Sequence, residues 1–293
     1  MNKNRKKSNK EFYPVALTIA GSDSGGGAGI QTDLRTFNAF GIFGTSAITA
    51  ITAQNPRAVS GIYPIPPEGV KAQINAVLDA FAVRYAKTGM LCSAETVDTV
   101  ADIVKERGLK FVCDPVMVST SGARLLAEDA VESVKKRLLP LAEWITPNIP
   151  EAELLLGDGK IATEEQFFSS ALKLYELFGS SVLLKGGHFK SASNCGKLPK
   201  AVDAVCRNGK IYKLSSIQCS LPEYCTHGTG CTLSAAMTAA FAVELPWKEA
   251  LCMSKAFIFG SLLEHIEPGD GLSAMYPPND DYMNNITLEE IAF

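Results

Sequence analysis

The chain has 293 residues, of which 46% are hydrophobic and 20% are charged, so it can bury a sizeable core. No apolar stretch approaches the roughly 20 residues that cross a bilayer, and the sequence therefore predicts no membrane association. The net charge is −3, and residues 1–10 carry five basic residues and no acidic one, so the remainder is more acidic than the whole. This charge distribution does not indicate a nucleic-acid partner.

The basic N-terminal segment, residues 1–11, is predicted to be a disordered tail because it is almost uniformly polar. Residues 12–293 contain no Ser/Gly-rich linker and no internal repeat, which predicts a single domain. Eight cysteines occur without a Cys-x-x-Cys pair, a pattern that indicates neither a disulfide framework nor a zinc site. Thiols used as small core residues favour a reducing, cytoplasmic location.

Short apolar runs alternate with helical patterns along the chain. The predicted strands are residues 15–20, 44–52, 110–114 and 181–185. Apolar residues recur at helical spacing between them: Ile30, Leu34, Phe37 and Phe40; Val70, Ile74, Val77, Leu78 and Phe81; Phe167, Leu174 and Phe178. Strands that alternate with helices form right-handed βαβ units. The sequence therefore predicts an α/β fold, a three-layer sandwich whose mostly parallel central sheet is flanked by helices.

Three local signals mark boundaries within this pattern. Pro66-Pro67 precedes one helix, and Thr163-Glu164-Glu165-Gln166 has the form of a capping box before another. Asn208-Gly209 separates two apolar runs, residues 201–206 and 210–214, and these two residue types suit a type I′ turn. The sequence therefore adds a small β-hairpin to the parallel sheet.

The run at residues 226–232, followed by a long Ala-rich helical pattern, is the most informative segment for chemistry. Gly228, Thr229 and Gly230 can direct consecutive backbone N–H groups one way, and the helix behind them adds its positive end, which predicts an anion hole. Cys231 would lie in the first turn of this helix, where the same field should lower the pKa of its thiol. We interpret the segment as a phosphoryl-transfer site with Cys231 near the acceptor hydroxyl.

In an open α/β sheet, ligands bind beyond the carboxyl ends of the strands, and several of these ends are polar here. The first strand runs into a Gly-rich loop, residues 21–33, which fits neither the P-loop nor the G-x-G-x-x-G pattern. The loop is either a flexible turn or a close approach to a flat small molecule, with Asp33 near the base of the pocket. Gln54 ends the second strand, where its amide matches a ring nitrogen beside an exocyclic amine, although plain surface is the alternative.

Hard oxygen donors and one cation follow further strands. Asp114, Asn148 and Glu151 are expected at neighbouring strand ends and suit Mg²⁺, which binds through one or two carboxylates together with substrate phosphates. Capping of the following helix by Asn148 or Glu151 is the alternative. Lys185 follows another strand, where its charge could steady a polyphosphate.

With these residues assembled, the chain resembles the ribokinase-like superfamily and, within it, the hydroxymethylpyrimidine/phosphomethylpyrimidine kinases of thiamine biosynthesis. Six motifs in the same order carry the resemblance. They are residues 20–33, 53–55, 88–91, 146–151, 184–188 and 226–235. The resemblance spans roughly residues 15–263 and includes a cysteine where most of the superfamily has an aspartate base.

The resemblance implies a role for each candidate residue. Cys231 would deprotonate or position the substrate hydroxymethyl group, while Gly228, Thr229 and Gly230 would hold the transferred phosphoryl group. The residues that it implies around the aminopyrimidine are Gln54, Asp33, Gly21, Val116 and Met90. Lys185 and Asn148 would lie toward ATP, and Asp114 and Glu151 would organise Mg²⁺. The implied ligands are thus ATP, hydroxymethylpyrimidine and its monophosphate, and a homodimer is a further expectation.

Two other functions remain open. A pyridoxal kinase of the dual-cysteine kind would use the same scaffold, but it would carry a second thiol on a lid, and the candidate lid, residues 116–122, has none. A non-catalytic small-molecule sensor would normally lack one of the groups required for turnover. Cys231, Asp114, Glu151 and Lys185 are all present.

Overall fold

The computed structural model describes residues 13–117, 126, 128–187, 200–218 and 227–292. The predicted tail, most of the candidate lid and residues 188–199 lie outside this part of the chain. The strands are β1 Val15–Asp23, β2 Phe43–Asn55, β3 Ala58–Pro64, β4 Val83–Thr88, β5 Phe111–Cys113, β6 Trp144–Ile145, β7 Ser181–Leu184, β8 Lys200–Arg207, β9 Lys210–Ile217, β10 Ile266–Gly269, β11 Leu272–Ala274 and β12 Thr287–Ile291. The helices are α1 Gly29–Ala39, α2 Pro67–Ala80, α3 Ala94–Arg107, α4 Glu128–Ser133, α5 Ile149–Leu156, α6 Glu164–Phe178, α7 Thr229–Ala242 and α8 Trp247–Leu263.

Within the described residues, ten strands form one sheet in the order β12-β9-β8-β7-β6-β5-β4-β1-β2-β3. The pairs from β2 through β1, β4, β5 and β6 to β7 are parallel, whereas β8, β9, β12 and β3 are added antiparallel. The predicted mostly parallel sheet is therefore confirmed. β10 and β11 pair separately as a two-stranded ribbon.

Helices cover both faces of the sheet, which confirms the three-layer sandwich. Alternate residues of β1 point to opposite sides: Leu17 and Ile19 pack in the core beneath α2 to α6, and Ala16 packs in the core beneath α1, α7 and α8. This alternation is the period of two that a strand buried on both faces requires. Within the described residues, no helix is long and apolar enough to span a membrane.

The local sequence signals are confirmed at their positions. α2 begins at Pro67, and Thr163 accepts the N–H of Gln166 in a complete capping box. Asn208 and Gly209 have φ of 52° and 72°, the left-handed pair that a type I′ turn requires, and they join β8 to β9. The predicted hairpin extends the main sheet as two antiparallel strands. β3 was not predicted from the sequence; it returns antiparallel along β2 after a short turn and forms an edge of the sheet.

Candidate active site

The carboxyl ends of β5 and β7 meet the beginning of α7. Asp114 follows β5, and Lys185 follows β7 and donates to its Oδ1 at 2.8 Å. The hydroxyl of Thr146 contacts the same oxygen at 3.2 Å, and Ser234 of α7 donates to Oδ2, also at 3.2 Å. Both predicted residues therefore belong to one buried cluster, in which Asp114 is 2% exposed.

The ion pair in this cluster stabilises the charged forms of both Asp114 and Lys185. Burial alone would raise the pKa of Asp114, but Lys185 and Lys87 more than offset it and hold that pKa below its ordinary value. Burial would lower the pKa of Lys185, yet the neighbouring carboxylates keep it raised. Asp114 is therefore ionised and Lys185 protonated at neutral pH, and the cation is held at the strand ends where an anion would bind.

Glu151 and Asn148 form a capping box at the start of α5. Asn148 Oδ1 accepts the N–H of Glu151 at 2.9 Å, and the Glu151 carboxylate accepts the N–H of Asn148 at 2.9 Å. The other carboxylate oxygen accepts the N–H of Met117 at 3.2 Å. The capping alternative is thus realised in the structure. Burial raises the pKa of Glu151, and the charge of Asp114 adds to the rise, while Lys185 opposes it.

The glycines of the predicted anion hole lie in closely packed backbone at the start of α7. Gly228 has a φ of +81°, and a Cβ at this position would collide with the carbonyl oxygen of Gly27 in the Gly-rich loop. A Cβ on Gly230 would lie 3.1 Å from Lys185 Nζ, so the first turn of α7 is close to the lysine cation. Thr229, at the start of α7, lies between these two glycines. Only glycine fits at position 228, because L-residues rarely adopt this backbone conformation and no space is left for a side chain.

Cys231 lies in the first turn of α7 and is half-buried. Burial raises the pKa of its thiol, and the charges of Asp33 and Asp114 add to the rise, while Lys87 and the backbone N–H of Gly29 act in the opposite direction. The prediction of a lowered pKa was therefore wrong. The helix terminus was visible in the sequence, but the desolvation of the sulfur and the two nearby carboxylates were not.

A buried ion pair beneath this region was missed by sequence reasoning. Lys87, in β4, donates from Nζ to Asp33 Oδ1 at 2.6 Å, and both side chains are 0% exposed. Thr18 donates to the other oxygen of Asp33, also at 2.6 Å. Asp33 is therefore close to the site but has no surface open to a ligand. The sequence signal for Lys87 was a lysine directly before the motif at residues 88–91.

Gln54 lies at the end of β2 beside the Gly-rich loop. Its side-chain Oε1 lies 3.1 Å from the hydroxyl of Thr52, and its Nε2 lies 3.2 Å from His227 Nε2. Asp23 organises the loop by accepting the N–H groups of residues 25, 27 and 28, and it also contacts His227. The loop is therefore bonded to the segment before α7 rather than free as a flexible turn.

Three further predicted residues lie near these elements. A Cβ on Gly21 would come within 2.6 Å of the terminal methyl of Met90, so the two residues are in contact. The carbonyl oxygen of Met90 accepts the hydroxyl of Thr49 at 2.6 Å, which fixes the backbone there. Val116 follows Asp114 and is half-buried.

The described carboxylates near the site do not form a complete set of protein ligands for a metal ion. Within the described residues, no cluster of three or more His, Cys, Asp or Glu side chains is arranged to hold a metal ion. Asp114 and Glu151 already accept hydrogen bonds from protein donors on both oxygens. This donor set fits a hydrated Mg²⁺ that is held mainly by phosphate oxygens and contacts the carboxylates through water.

Comparisons with known proteins agree with this geometry. A family model described as phosphomethylpyrimidine kinase matches residues 23–276. The hydroxymethylpyrimidine/phosphomethylpyrimidine kinase of Haemophilus influenzae is 43% identical over 87% of this chain and 93% of its own length. The solved phosphomethylpyrimidine kinase of Clostridium difficile has a TM-score of 0.72 at 39% identity, covering 84% of this chain and 97% of its own.

A pyridoxal kinase is also structurally similar. The Staphylococcus aureus enzyme, solved with AMP-PCP, has a TM-score of 0.83 at 29% identity and covers 96% of this chain and 100% of its own. The ribokinase-like fold expected from the motifs is thereby confirmed. The relative of higher sequence identity and the family model both bear a pyrimidine kinase description. The chain therefore belongs to the phosphomethylpyrimidine kinase family.

Proposed function

We propose that this protein transfers the γ-phosphoryl group of ATP to hydroxymethylpyrimidine and then to its monophosphate, as a kinase of thiamine biosynthesis. The observation that carries the proposal is the cluster in which Lys185, Asp114 and Gly230, in the first turn of α7, converge at the strand ends. The family membership of the chain supports the assignment of phosphoryl transfer to this cluster. Phosphoryl transfer needs mostly positioning and charge stabilisation, which such a cluster can supply.

ATP is supported as co-substrate by the solved relatives, since the Staphylococcus aureus pyridoxal kinase has been crystallised with AMP-PCP and with ADP. In this chain, Lys185 would contact the phosphates, and Asn148 would face the nucleotide from the start of α5. Mg²⁺ would be carried in by ATP and would neutralise charge on its phosphates, with Asp114 and Glu151 orienting its water ligands.

The anion hole would bind the phosphoryl group during its transfer from ATP. Backbone N–H groups of Gly228, Thr229 and Gly230 would donate to the phosphoryl oxygens, aided by the positive end of α7. Cys231 would stand beside the acceptor hydroxymethyl group. Because its thiol pKa is raised, it would mainly hold the hydroxyl in line, and a loose transition state requires little prior removal of the proton.

The pyrimidine would lie between the Gly-rich loop and the end of β4. Gln54 would pair with the amino group and the adjacent ring nitrogen, while Gly21, Met90 and Val116 would contact the flat ring. Asp33 is fully buried, so its contribution would be to hold Lys87 beneath the site rather than to touch the substrate. We therefore propose an indirect role for Asp33.

The second candidate function is a pyridoxal kinase, which the structural similarity to the Staphylococcus aureus enzyme favours. The dual-cysteine form of that enzyme would need a second thiol over the substrate, and residues 116–122 contain none. The lack of a cysteine in residues 116–122 favours hydroxymethylpyrimidine over pyridoxal as the acceptor substrate.

Three expectations about the whole protein stay with this proposal: a single domain over residues 12–293, a cytoplasmic location without nucleic-acid or membrane partners, and a homodimer. Exposed apolar side chains along the β2–β3 edge, including Ile51, Ile62 and Tyr63, support self-association. Light scattering coupled to gel filtration would measure the mass in solution, and a monomer at high micromolar concentration would contradict the dimer.

The test of the function is ADP release with hydroxymethylpyrimidine, its monophosphate and pyridoxal as acceptors. We expect turnover with both pyrimidines and a much lower kcat/KM with pyridoxal. Gln54→Leu should raise the KM for hydroxymethylpyrimidine, with a cost of about 1–3 kcal/mol, and leave the KM for ATP unchanged, because one edge of the ring loses its partner. Preferred turnover of pyridoxal would replace the proposal with the second candidate function.

A further inference from the structure

His227 joins two parts of the candidate site through one ring nitrogen. Its Nε2 lies 3.3 Å from Asp23 Oδ2 and 3.2 Å from Gln54 Nε2. The ring also packs on the Gly-rich loop, since a Cβ on Gly27 would come within 2.8 Å of its Cδ2. The imidazole is about one-third exposed and Asp23 is 3% exposed, so the contact to the carboxylate is mostly shielded from water.

The carboxylate of Asp23 determines what His227 Nε2 must do. Burial would raise the pKa of Asp23, but the hydrogen bond from His227 and those from backbone N–H groups lower it overall, so the group is an anion. A carboxylate can only accept hydrogen bonds. The Nε2 atom therefore carries a hydrogen and donates, whether the ring is neutral or protonated.

This assignment also determines the orientation of the Gln54 amide. A donating Nε2 cannot face the amide NH₂, so the amide oxygen must lie on that side, and a half-turn of the amide exchanges its two ends in nearly the same positions. The hydroxyl of Thr52 has one hydrogen, and its shorter contact, 2.8 Å, is to the carbonyl oxygen of Ser22. Thr52 Oγ1 can then accept from the amide NH₂, which lies 3.1 Å away after the half-turn. Only this arrangement pairs a donor with an acceptor at every contact, with the single Nε2 hydrogen shared between Asp23 Oδ2 and the amide oxygen.

In this orientation the amide has one N–H and one oxygen lone pair left for a ligand. They match a ring nitrogen that accepts beside an exocyclic amine that donates. A 4-oxo pyrimidine presents the reverse pattern, with a ring N–H beside a carbonyl oxygen, and would require the opposite orientation of the amide.

We propose that His227 is a positioning residue that fixes the orientation of the Gln54 amide and thereby makes the site select an aminopyrimidine over its 4-oxo analogue. The inference rests on the proposed function, because it assumes that Gln54 faces the acceptor substrate. His227 acts through Gln54 and through the loop held by Asp23, and it does not touch the reacting atoms.

The kinetic test compares His227→Leu with His227→Gln. Leucine removes the donor, whereas the glutamine amide can place an N–H close to the position of Nε2. For each protein, kcat/KM is measured for hydroxymethylpyrimidine and for its 4-oxo analogue, with the KM for ATP as an internal control. We expect the preference for the amino compound to fall about tenfold in His227→Leu, the effect of losing one hydrogen bond, and to be retained in His227→Gln.

A merely structural role would lower kcat/KM for both pyrimidines equally and leave their ratio unchanged, and that result would overturn the proposal. Long-range ¹H–¹⁵N correlation spectra of the wild-type protein test the network independently of turnover, with the His227→Gln spectrum identifying the signal. A hydrogen on Nε2 supports the assignment, and a bare Nε2 refutes it. If the wild-type protein phosphorylates neither pyrimidine, the proposed function is refuted, whichever nitrogen of His227 carries the hydrogen.

Discussion

Lys87→Met tests the energetic importance of the buried pair beneath the site. The substitution removes a cation whose Nζ lies 2.6 Å from Asp33 Oδ1, in a place where both side chains are 0% exposed. Methionine has a similar length, so the packing defect should be small. Among the residues that the structure describes, Asp33 would keep only the hydroxyl of Thr18 as a side-chain hydrogen-bond partner. Leaving one charge of a buried pair without its partner costs about 3–5 kcal/mol of unfolding free energy.

The loss of unfolding free energy in Lys87→Met should be smaller at low pH than at high pH. Burial already raises the pKa of Asp33, and Lys87 opposes the rise, so removing Lys87 should raise the pKa further. A carboxyl whose folded pKa exceeds its unfolded pKa contributes stability below the unfolded value, and this contribution disappears as pH rises through the folded pKa. The difference in unfolding free energy between the wild type and Lys87→Met should therefore shrink as pH falls from 8 to 5.5.

The assay is urea unfolding followed by tryptophan fluorescence at both pH values. Lys71→Met, on the exposed surface of α2, is the matched control and should stay within about 0.5 kcal/mol of wild type. Adding Asp33→Asn to Lys87→Met removes the unpaired charge and should recover part of the loss at pH 8. A Lys87→Met protein within about 1 kcal/mol of wild type, or equally destabilised at both pH values, would refute the reasoning.

Three other variants test the proposed chemistry. Gly228→Ala forces a Cβ against the carbonyl oxygen of Gly27, so kcat should fall by about 100-fold or more, and a near-normal kcat would contradict the anion hole. Asp114→Asn combined with Glu151→Gln should change the Mg²⁺ dependence of the rate far more than it lowers the melting temperature. An unchanged Mg²⁺ titration would remove both residues from the metal site. Cys231→Ser keeps the size and the hydrogen-bonding capacity of the side chain, so kcat should fall by less than about tenfold, and a loss of about 100-fold or more would show that the thiol acts as a general base. Alkylation of Cys231, followed by peptide mass spectrometry, should still accelerate above pH 9, and a plateau near neutrality would contradict its raised pKa.

Features that depend on a few adjacent residues could be predicted from the sequence. The capping box at Thr163 needs only the side chain three residues later, and the turn at Asn208-Gly209 needs only two residues that tolerate positive φ. The parallel core followed from the alternation of strand and helix. The convergence of Asp114 and Lys185 followed from a general property of such sheets, namely that strand carboxyl ends share one edge.

Features that depend on distant neighbours could not be predicted. Lys87 and Asp33 are 54 residues apart and meet because β1 and β4 are adjacent in the sheet, an order that no local pattern specifies. The raised pKa of Cys231 has the same origin, because the desolvation and the carboxylates around the sulfur come from the packed fold. Strand β3 was missed because its side chains are largely exposed and lack the alternation that marks a half-buried strand.

Two buried ion pairs join helices on one face of the sheet to its strands. Lys87 of β4 holds Asp33 of α1, and Lys255 of α8 donates to Asp203 of β8 at 2.6 Å. Asp203 also accepts the N–H of Gly186 at 3.0 Å, immediately after the lysine proposed to bind phosphate. Buried pairs add little net stability compared with apolar residues of the same size, so stability alone does not account for them. Because α1 and α8 pack in the same layer as α7, sliding this layer along the sheet would break both pairs. The pairs would therefore fix the distance between the proposed anion hole on the helices and Lys185 on the sheet, on which the proposed in-line phosphoryl transfer depends.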